Sequence, residues 1–478
     1  MPYTRRGAYL ELLANSSSDR LEFCKQRVSP ILAPMNQKKL YFYSVVSLSR
    51  ILFGFDTVVV SGADQPLASM WSGYTLFGTA DAFHGIVVMS SALWGTVIGA
   101  VFGAWPTNRY GRKNTLVFIG LFFLISAIGS AVVSNPYWFA IFRFLGGLGV
   151  GASTIAAPAY IAEIAPSAQR GRLVVLYQSN LVFGILIAFL SNYLINDLIS
   201  SDAWRYMLGA EAVPALLYSI LVTRVPQSPR WLLSKGRSAQ AQEVLERLYS
   251  SQEAADQLKA IESDLNTSSG ESVFQKKYSR QLWLVIALAA FNQFSGINAF
   301  LYYSPRIFEM AGLGESTALL SSIGVGVVNL VFTLVGMALI DRSGRKRLML
   351  IGSLGYIVSL GLVTYSFATN WLGLHIPFFF FLFIASHAIG QGAVIWVFIS
   401  EIFPNKQRAQ GQAVGTSTHW VLAAIIPALV PLLFSSIGAP VVFAIFTIMM
   451  VLQLLWVLFV MPETKGVGLE DLSKSLSS

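Results

Sequence analysis

Arg-Tyr-Gly-Arg-Lys at residues 109–113 and Arg-Ser-Gly-Arg-Lys at residues 342–346 are two copies of one short motif. A second pair of matching stretches has nearly the same offset, because Glu-Ile-Ala-Pro starts at Glu163 and Glu-Ile-Phe-Pro starts at Glu401. Motifs that recur together in the same order indicate an internal repeat. The chain is therefore predicted to contain two copies of one structural unit.

The composition around these motifs is that of a membrane protein. Hydrophobic residues make up 54% of the 478 residues and charged residues only 12%, whereas a soluble domain has roughly 25% charged residues. A helix needs about 20 apolar residues to cross a bilayer. Twelve such segments are present, centred near residues 53, 95, 124, 150, 182, 214, 293, 328, 358, 389, 421 and 450.

Six of these segments precede the longest polar stretch and six follow it, which predicts an all-α membrane protein with two pseudo-symmetric six-helix bundles. The apolar spacing in the polar stretch is typical of helices and predicts an intracellular helical linker between the bundles. The predicted parts are a tail over residues 1–36, a bundle over 37–227, the linker over 228–279, a bundle over 280–462 and a tail over 463–478.

The distribution of basic residues predicts the orientation in the membrane. Lysine and arginine are concentrated in the loops after the second, fourth, eighth and tenth segments, and none occurs between Gly62 and His84. Cytoplasmic loops carry the excess of basic residues, so both termini are expected on the cytoplasmic side. The membrane is expected to be a bacterial inner membrane or a plasma membrane. The net charge of +9 is explained by basic residues that set the topology and contact anionic lipids of the bilayer. Nucleic acid is therefore not expected as a partner.

The stretch Ala-Phe-Asn-Gln-Phe-Ser-Gly-Ile-Asn-Ala-Phe-Leu-Tyr-Tyr-Ser at residues 290–304 is the candidate binding segment. Its amides, Asn292, Gln293 and Asn298, both donate and accept hydrogen bonds, so they suit an uncharged ligand rich in hydroxyl groups. Gln293 and Asn298 point to different sides of a regular helix, so both face one cavity only if the helix loosens near Gly296. The alternative is that these amides only pack between helices.

Two charged residues lie deep in apolar segments and predict a proton site. Asp56 is inside the first segment, where an unpaired carboxylate is costly, and Arg143 in the fourth segment is its predicted partner. The alternative is a static ion pair. Arg50 lies about 240° around the helix from Asp56, so its side chain is expected to extend to the cytoplasmic interface.

The sequence contains no arrangement that predicts an enzyme. Cys24 is the single cysteine, which excludes an intramolecular disulfide and a thiolate metal cluster. Serine, histidine and aspartate residues are scattered, and neither a phosphate-binding loop nor metal-ligand spacing is present. We therefore expect no catalytic residues, no metal and no cofactor.

From about residue 36 to 470, the chain resembles the sugar porter family of the major facilitator superfamily. The resemblance is carried by the two Arg-x-Gly-Arg-Lys loops, by Gly-Ile-Asn at residues 296–298 and by Pro-Glu-Thr-Lys-Gly at residues 462–466. It implies the major facilitator fold, a central sugar site, alternating access and a cytoplasmic lock of arginine and glutamate pairs. A carrier of this kind is expected to function as a monomer.

The resemblance also implies roles for particular residues. The sugar contacts expected from the resemblance and the amide segment together are Gln178, Asn292, Gln293, Asn298, Tyr303, Asn329, Trp396, His419 and Trp420. The lock residues are Arg112, Glu163, Arg170, Arg230, Arg345, Glu401, Arg408 and Glu463.

The chain departs from the family pattern at positions that bear on these roles. Asn292 replaces the first residue of an expected Gln-Gln pair among the sugar contacts. Gln227 replaces a glutamate expected in the lock, and Ser49 and Arg50 replace an expected glycine pair.

The predicted function is proton-coupled symport of a monosaccharide, either a hexose or a pentose. Asp56 favours coupling, because the facilitative glucose carriers of the family have an uncharged residue there. A facilitative uniporter is the alternative, and a membrane sugar sensor without transport is a third class. The sequence leaves the sugar open among glucose, galactose, xylose, arabinose and polyols.

Overall fold

A computed structural model of the protein describes residues 37–164, 170–266, 272–404 and 407–466. The side chains of residues 37–39, 170–176 and 264–266 are outside this description. The described residues form helices joined by short loops, and no β-strand occurs among them. The predicted all-α class is therefore confirmed.

Twelve helical segments of the described chain are long and apolar enough to cross a membrane, as predicted. In the first half they are span 1 (Leu40–Gly62), span 2 (Ala80–Phe102), span 3 (Arg112–Val132), span 4 (Pro136–Ile164), span 5 (Tyr177–Leu198) and span 6 (Ala203–Val222). In the second half they are span 7 (Lys276–Met310), span 8 (Glu315–Ser343), span 9 (Arg345–Ala368), span 10 (His375–Glu401), span 11 (Arg408–Ser436) and span 12 (Ala439–Phe459).

Between the halves, the described part of the polar stretch is helical. It forms the helices Pro229–Ser234, Ser238–Leu248 and Ser251–Asn266. The second of these buries Ala241, Leu245 and Leu248, which recur at the spacing of one helical face.

Several spans are interrupted by a break or a π-helical turn. In span 7, the helix Ser279–Phe294 stops and the helix Ile297–Met310 begins after Gly296, whose φ is +81°. A side chain is strained at that φ, and a Cβ there would also meet the ring of Phe446. Spans 2 and 10 each contain a π-helical turn, at His84–Met89 and Ala388–Gly392. The expected loosening near Gly296 is confirmed.

The two halves pack against each other through span 2 with span 11 and span 5 with span 8. The contact is close at Gly85, beside the carbonyl of Ala428, and at Gly326, beside Leu186. Because consecutive spans reverse direction, the loops that follow even-numbered spans share one face of the molecule. We call it the basic face, since it carries both copies of the Arg-x-Gly-Arg-Lys motif, and we call the other the opposite face.

Candidate transport site

A cavity of about 130 Å³ lies between the two halves. One water needs roughly 10–15 Å³ on this measure, so the cavity has room for a small solute. Spans 1, 2 and 5 line it on one side, and spans 7, 8, 10 and 11 line it on the other. Eight of the nine predicted sugar contacts line this cavity, namely Gln178, Asn292, Gln293, Asn298, Asn329, Trp396, His419 and Trp420.

Tyr303 is the predicted contact that does not line the cavity. Its side chain is fully buried, and its hydroxyl donates to the carbonyl oxygen of Pro427 at 2.9 Å. Pro431 lies four residues after Pro427 and has no N–H, so that carbonyl lacks its helical donor. The phenol of Tyr303 therefore serves the backbone of span 11, outside the cavity that the other predicted contacts line.

The amides of span 7 form a chain of hydrogen bonds across the helix break. Asn298 Nδ2 donates to Gln293 Oε1 at 2.8 Å, and Gln293 Nε2 donates to Asn292 Oδ1 at 2.9 Å. The chain continues from Asn292 Nδ2 to Gln391 Oε1 at 3.4 Å, and from Gln391 Nε2 to Gln453 Oε1 at 2.7 Å. The outer amides therefore face the cavity while partners behind them fix their orientation.

Aromatic rings form a second wall of the cavity. The ring of His419 lies 5.1 Å from Trp396 and 5.0 Å from Trp420, and Trp420 lies 5.6 Å from Phe53 of span 1, between ring centroids. His419 is also 3.2 Å from Gln293 Nε2, which links the ring wall to the amide chain. A ligand in this cavity meets apolar ring faces on one side and hydrogen-bonding groups on another.

The predicted pairing of Asp56 with Arg143 is present inside the first half. Arg143 Nη1 donates to the Asp56 carboxylate, and Arg143 Nη2 donates to the Asp56 carbonyl oxygen at 3.1 Å. Both side chains are almost completely buried. A pair this deep in a membrane protein is costly unless its geometry compensates for desolvation, and it marks a candidate functional site.

On the basic face, both halves repeat one ion pair. Arg112 Nη2 lies 2.7 Å from Glu163 Oε1, and Arg345 Nη2 lies 2.6 Å from Glu401 Oε1. The duplicated motifs thus place the same contact at the same point of each half.

The family model described as "Sugar (and other) transporter" matches residues 42–476 of the chain. The chain belongs to this family. Family members are transporters, which confirms the expectation that the protein is not an enzyme.

Curated relatives in the sugar transporter family match nearly the whole chain. The D-xylose-proton symporter of Escherichia coli (strain K12) is 33% identical over 460 residues, which cover 90% of this chain and 94% of the relative. The glucose transport protein of Synechocystis is 34% identical over 475 residues, which cover 93% of this chain and 99% of the relative. The solved inward-open conformation of the E. coli xylose transporter XylE has a TM-score of 0.82 at 31% identity, covering 91% of this chain and 99% of that one.

Glu211 of span 6 is a buried carboxylate of this sugar transporter that the sequence analysis missed. It interacts electrostatically with Asp56 and Arg143, yet neither carboxylate oxygen accepts a hydrogen bond from a donor in the described part of the chain. The available signal was its position as a lone acidic residue inside an apolar span.

The structure corrects the expectation for Arg50. Its side chain is 8% exposed and lines the central cavity instead of reaching the interface. Arg50 Nη2 donates to Gln178 Oε1 at 3.0 Å, and the guanidinium lies over the rings of Phe53 and Tyr177. Spans 1 and 5 pack closely, so these partners hold the guanidinium inside the protein.

The remaining predicted lock residues are only partly described. The Arg170 side chain lies outside the described part of the structure. Arg230 is in the first turn of the helix Pro229–Ser234, and Arg408 is the first residue of the helix Arg408–Ser436. Both are half-buried on the basic face.

Gln227 and Glu463 hold equivalent positions in the two halves. The Gln227 side-chain oxygen accepts from the N–H of Lys113 at 2.9 Å, and the Glu463 carboxylate accepts from the N–H of Lys346 at 3.0 Å. Each therefore caps the amino end of the helix that follows its motif. Gln227 makes the same cap as a glutamate would, but it carries no negative charge.

On the opposite face, an ion pair joins the halves. Arg306 Nε of span 7 lies 3.1 Å from Asp64 Oδ2, next to the end of span 1. His84 Nε2 at the start of span 2 lies 2.6 Å from the other Asp64 oxygen. Asp64 and His84 are buried, and the Arg306 side chain is 20% exposed.

Proposed function

We propose that the protein transports a monosaccharide together with a proton across the membrane by alternating access. The observation that carries this proposal is the buried pair of Asp56 and Arg143 beside an amide-lined cavity between two six-helix halves. The cavity binds the sugar, and the buried carboxylate of Asp56 binds the proton.

The lining chemistry supports a sugar as the cargo. Amide groups of Gln293 and Asn298 offer donors and acceptors together, which matches hydroxyl groups that also do both. The rings of Trp396 and Trp420 present apolar faces to the same space. The named xylose and glucose carriers among the relatives support the same class of cargo.

The charge balance of the buried cluster supports proton coupling. Asp56 and Glu211 carry two negative charges when ionised, against one positive charge on Arg143. A proton taken up by this cluster would balance its charge, and buried acidic groups of this kind are typical of proton pathways in membrane carriers.

The contacts between the halves support the assignment of this conformation to a state that is closed on the opposite face. Arg306 and Asp64 join the halves there, and the chain is similar to the inward-open conformation of XylE. If the basic face lies on the cytoplasmic side of a bacterial membrane, the cavity opens to the cell interior in this state. Arg112 with Glu163 and Arg345 with Glu401 are formed within the separate halves in this state, and we infer that they belong to the cluster that forms the cytoplasmic lock when the halves close on that face. A single chain contains the whole cavity, which supports function as a monomer.

Uptake into liposomes that contain the purified protein tests this function. A panel of radiolabelled monosaccharides is supplied with and without an inward proton gradient. We expect accumulation above the external concentration only with the gradient. Equilibration without accumulation would establish a uniporter, and absence of both uptake and binding for every sugar would refute the proposal.

A further inference from the structure

The central cavity contains a fixed positive charge that no acidic residue balances. Arg50 lines the cavity, and none of the described residues lining it is an aspartate or a glutamate. Asp56 lies on the same helix, but its carboxylate is engaged by Arg143. Residues 170–176 precede span 5 in the same helix, and their side chains are outside the description. They read Arg-Gly-Arg-Leu-Val-Val-Leu and include no acidic residue.

The contacts that Arg50 makes within the protein do not replace a counter-ion. Gln178 accepts one hydrogen bond from Nη2, while Nε is buried without any partner in the described part of the chain. The rings of Phe53 and Tyr177 lie 4.6 and 5.1 Å from the guanidinium carbon. Contact with aromatic rings returns only part of the hydration free energy that burial removes from a cation.

A second unpartnered donor lies near the Phe53 ring. Trp420 Nε1 is buried without a hydrogen-bond partner among the described residues, and the Trp420 ring packs against Phe53. Two buried donors without acceptors therefore belong to residues that contact Phe53 and line the cavity with it. Buried donors in native proteins are normally satisfied, so this part of the cavity is built for a ligand rich in acceptor atoms.

We propose that the cargo is a sugar acid, a monosaccharide with a carboxylate at one end, and that Arg50 binds this carboxylate. This proposal rests on the proposed transport of a monosaccharide and narrows its substrate class. The planar guanidinium matches a carboxylate in shape and charge. The amides of Gln293 and Asn298 then bind the hydroxyl groups at the other end. A sugar phosphate fits less well, because no other arginine or lysine lines the described cavity to balance its additional charge.

Equilibrium binding to the purified full-length protein tests this assignment. Tryptophan fluorescence reports the titration, since Trp396 and Trp420 line the cavity. The matched ligands are glucose with glucuronate, galactose with galacturonate, and glucose 6-phosphate, at constant ionic strength. We expect each sugar acid to bind at least about tenfold more tightly than its neutral partner.

Three variants separate the charge of Arg50 from its structural role. Arg50→Gln should weaken sugar-acid binding by roughly tenfold to hundredfold and change neutral-sugar binding by less than about threefold. Arg50→Lys should retain part of the preference, because it keeps the charge without the planar fork. Arg247→Gln removes an exposed arginine far from the cavity and should change nothing.

Each other outcome overturns the assignment. Tighter binding of the neutral sugars by wild-type protein would refute the sugar-acid class while sustaining monosaccharide transport. Preference for glucose 6-phosphate would assign Arg50 to a phosphate instead. If chloride competes with the sugar acid and no preference over the neutral sugar remains, Arg50 holds only an inorganic anion. Binding of none of these ligands would defeat the transport proposal as well.

Discussion

At the scale of single residues, Asp56 is the group whose loss separates coupling from transport. Asp56→Asn keeps the shape of the side chain and removes the charge that holds Arg143, so it mimics a permanently protonated state. We expect this variant to lose accumulation of sugar under an inward proton gradient and to retain sugar exchange. Exchange needs the halves to move but needs no net release of a proton.

The liposome assay checks this prediction by comparing gradient-driven uptake with exchange at equal internal and external sugar. Asp197→Asn makes the same chemical change on an exposed side chain and should behave like wild-type protein. Continued accumulation by Asp56→Asn would assign the pair with Arg143 a purely structural role.

At the scale of elements, the break in span 7 depends on Gly296. Gly296→Ala requires a side chain at a φ of +81° and places its Cβ against Phe446, so we expect about 1–2 kcal/mol of destabilisation. The variant should also bind sugar more weakly, because Gln293 and Asn298 are positioned by the two sides of this break. Thermal unfolding and ligand titration measure both effects.

The matched control for this break is Gly361→Ala in span 9. A Cβ at Gly361 meets no atom within 4 Å, and its φ is not positive. Alanine there should leave stability unchanged or slightly raised, because alanine favours a helix over glycine. Equal behaviour of the two variants would show that the break does not depend on the glycine.

The caps of spans 3 and 9 predict a difference in pH response. Burial alone raises the pKa of the Glu463 carboxyl, but the N–H groups of Lys465, Arg345, Lys346 and Thr464 outweigh it and hold that pKa below its usual value. A carboxyl with a lowered folded pKa stabilises the fold above its unfolded pKa and loses that contribution as pH falls through the folded pKa. Gln227 makes the equivalent cap without a titratable group.

We therefore expect Glu463→Gln to destabilise the protein by about 0.5–1 kcal/mol at neutral pH. This difference should begin to shrink as the pH falls below about 4, the unfolded pKa of a glutamate, and should vanish only below the lower folded pKa. Melting curves over a pH series measure it. Gln227→Glu is the reciprocal variant and should gain stability over the same upper pH range, and a constant difference at every pH would contradict the assignment.

At the scale of the whole molecule, the pair of Asp64 and Arg306 holds the halves together on the opposite face. Asp64→Asn removes its charge, so we expect the population to shift by about 1–2 kcal/mol towards the state open on that face. In a Cys24→Ser background, Thr57→Cys places the single thiol in the cavity. An impermeant thiol reagent outside the cell should then label Thr57→Cys faster when Asp64→Asn is also present.

Asp81→Asn is the control for this shift. Asp81 lies at the same mouth as Arg306, and the described structure gives it no ion pair, so its substitution should leave the labelling rate unchanged. Slower labelling with Asp64→Asn would show that the pair does not stabilise closure of the opposite face.

The sequence predicted the backbone architecture better than it predicted the contacts of particular side chains. The twelve spans and the break at Gly296 followed from apolar lengths and from the angle between two amides on one helix. The side chain of Arg50 could not be placed in this way, because an angle around one helix does not show which neighbouring span the side chain contacts. Its hydrogen-bond acceptor, Gln178, lies on a different span. Glu211 did carry a sequence signal as a lone acidic residue inside an apolar span. Its connection to Asp56 and Arg143 was not predictable, because those residues lie on two other spans.

The unbalanced guanidinium of Arg50 has a consequence for the energy source of the carrier. Symport of a proton with a neutral sugar moves one positive charge per cycle, and the membrane voltage then contributes about 2.3 kcal/mol per 100 mV. A cargo that brings its own negative charge cancels that movement. With a sugar acid seated on Arg50, the cycle becomes electroneutral, and uptake draws on the difference in acidity across the membrane and is indifferent to its voltage.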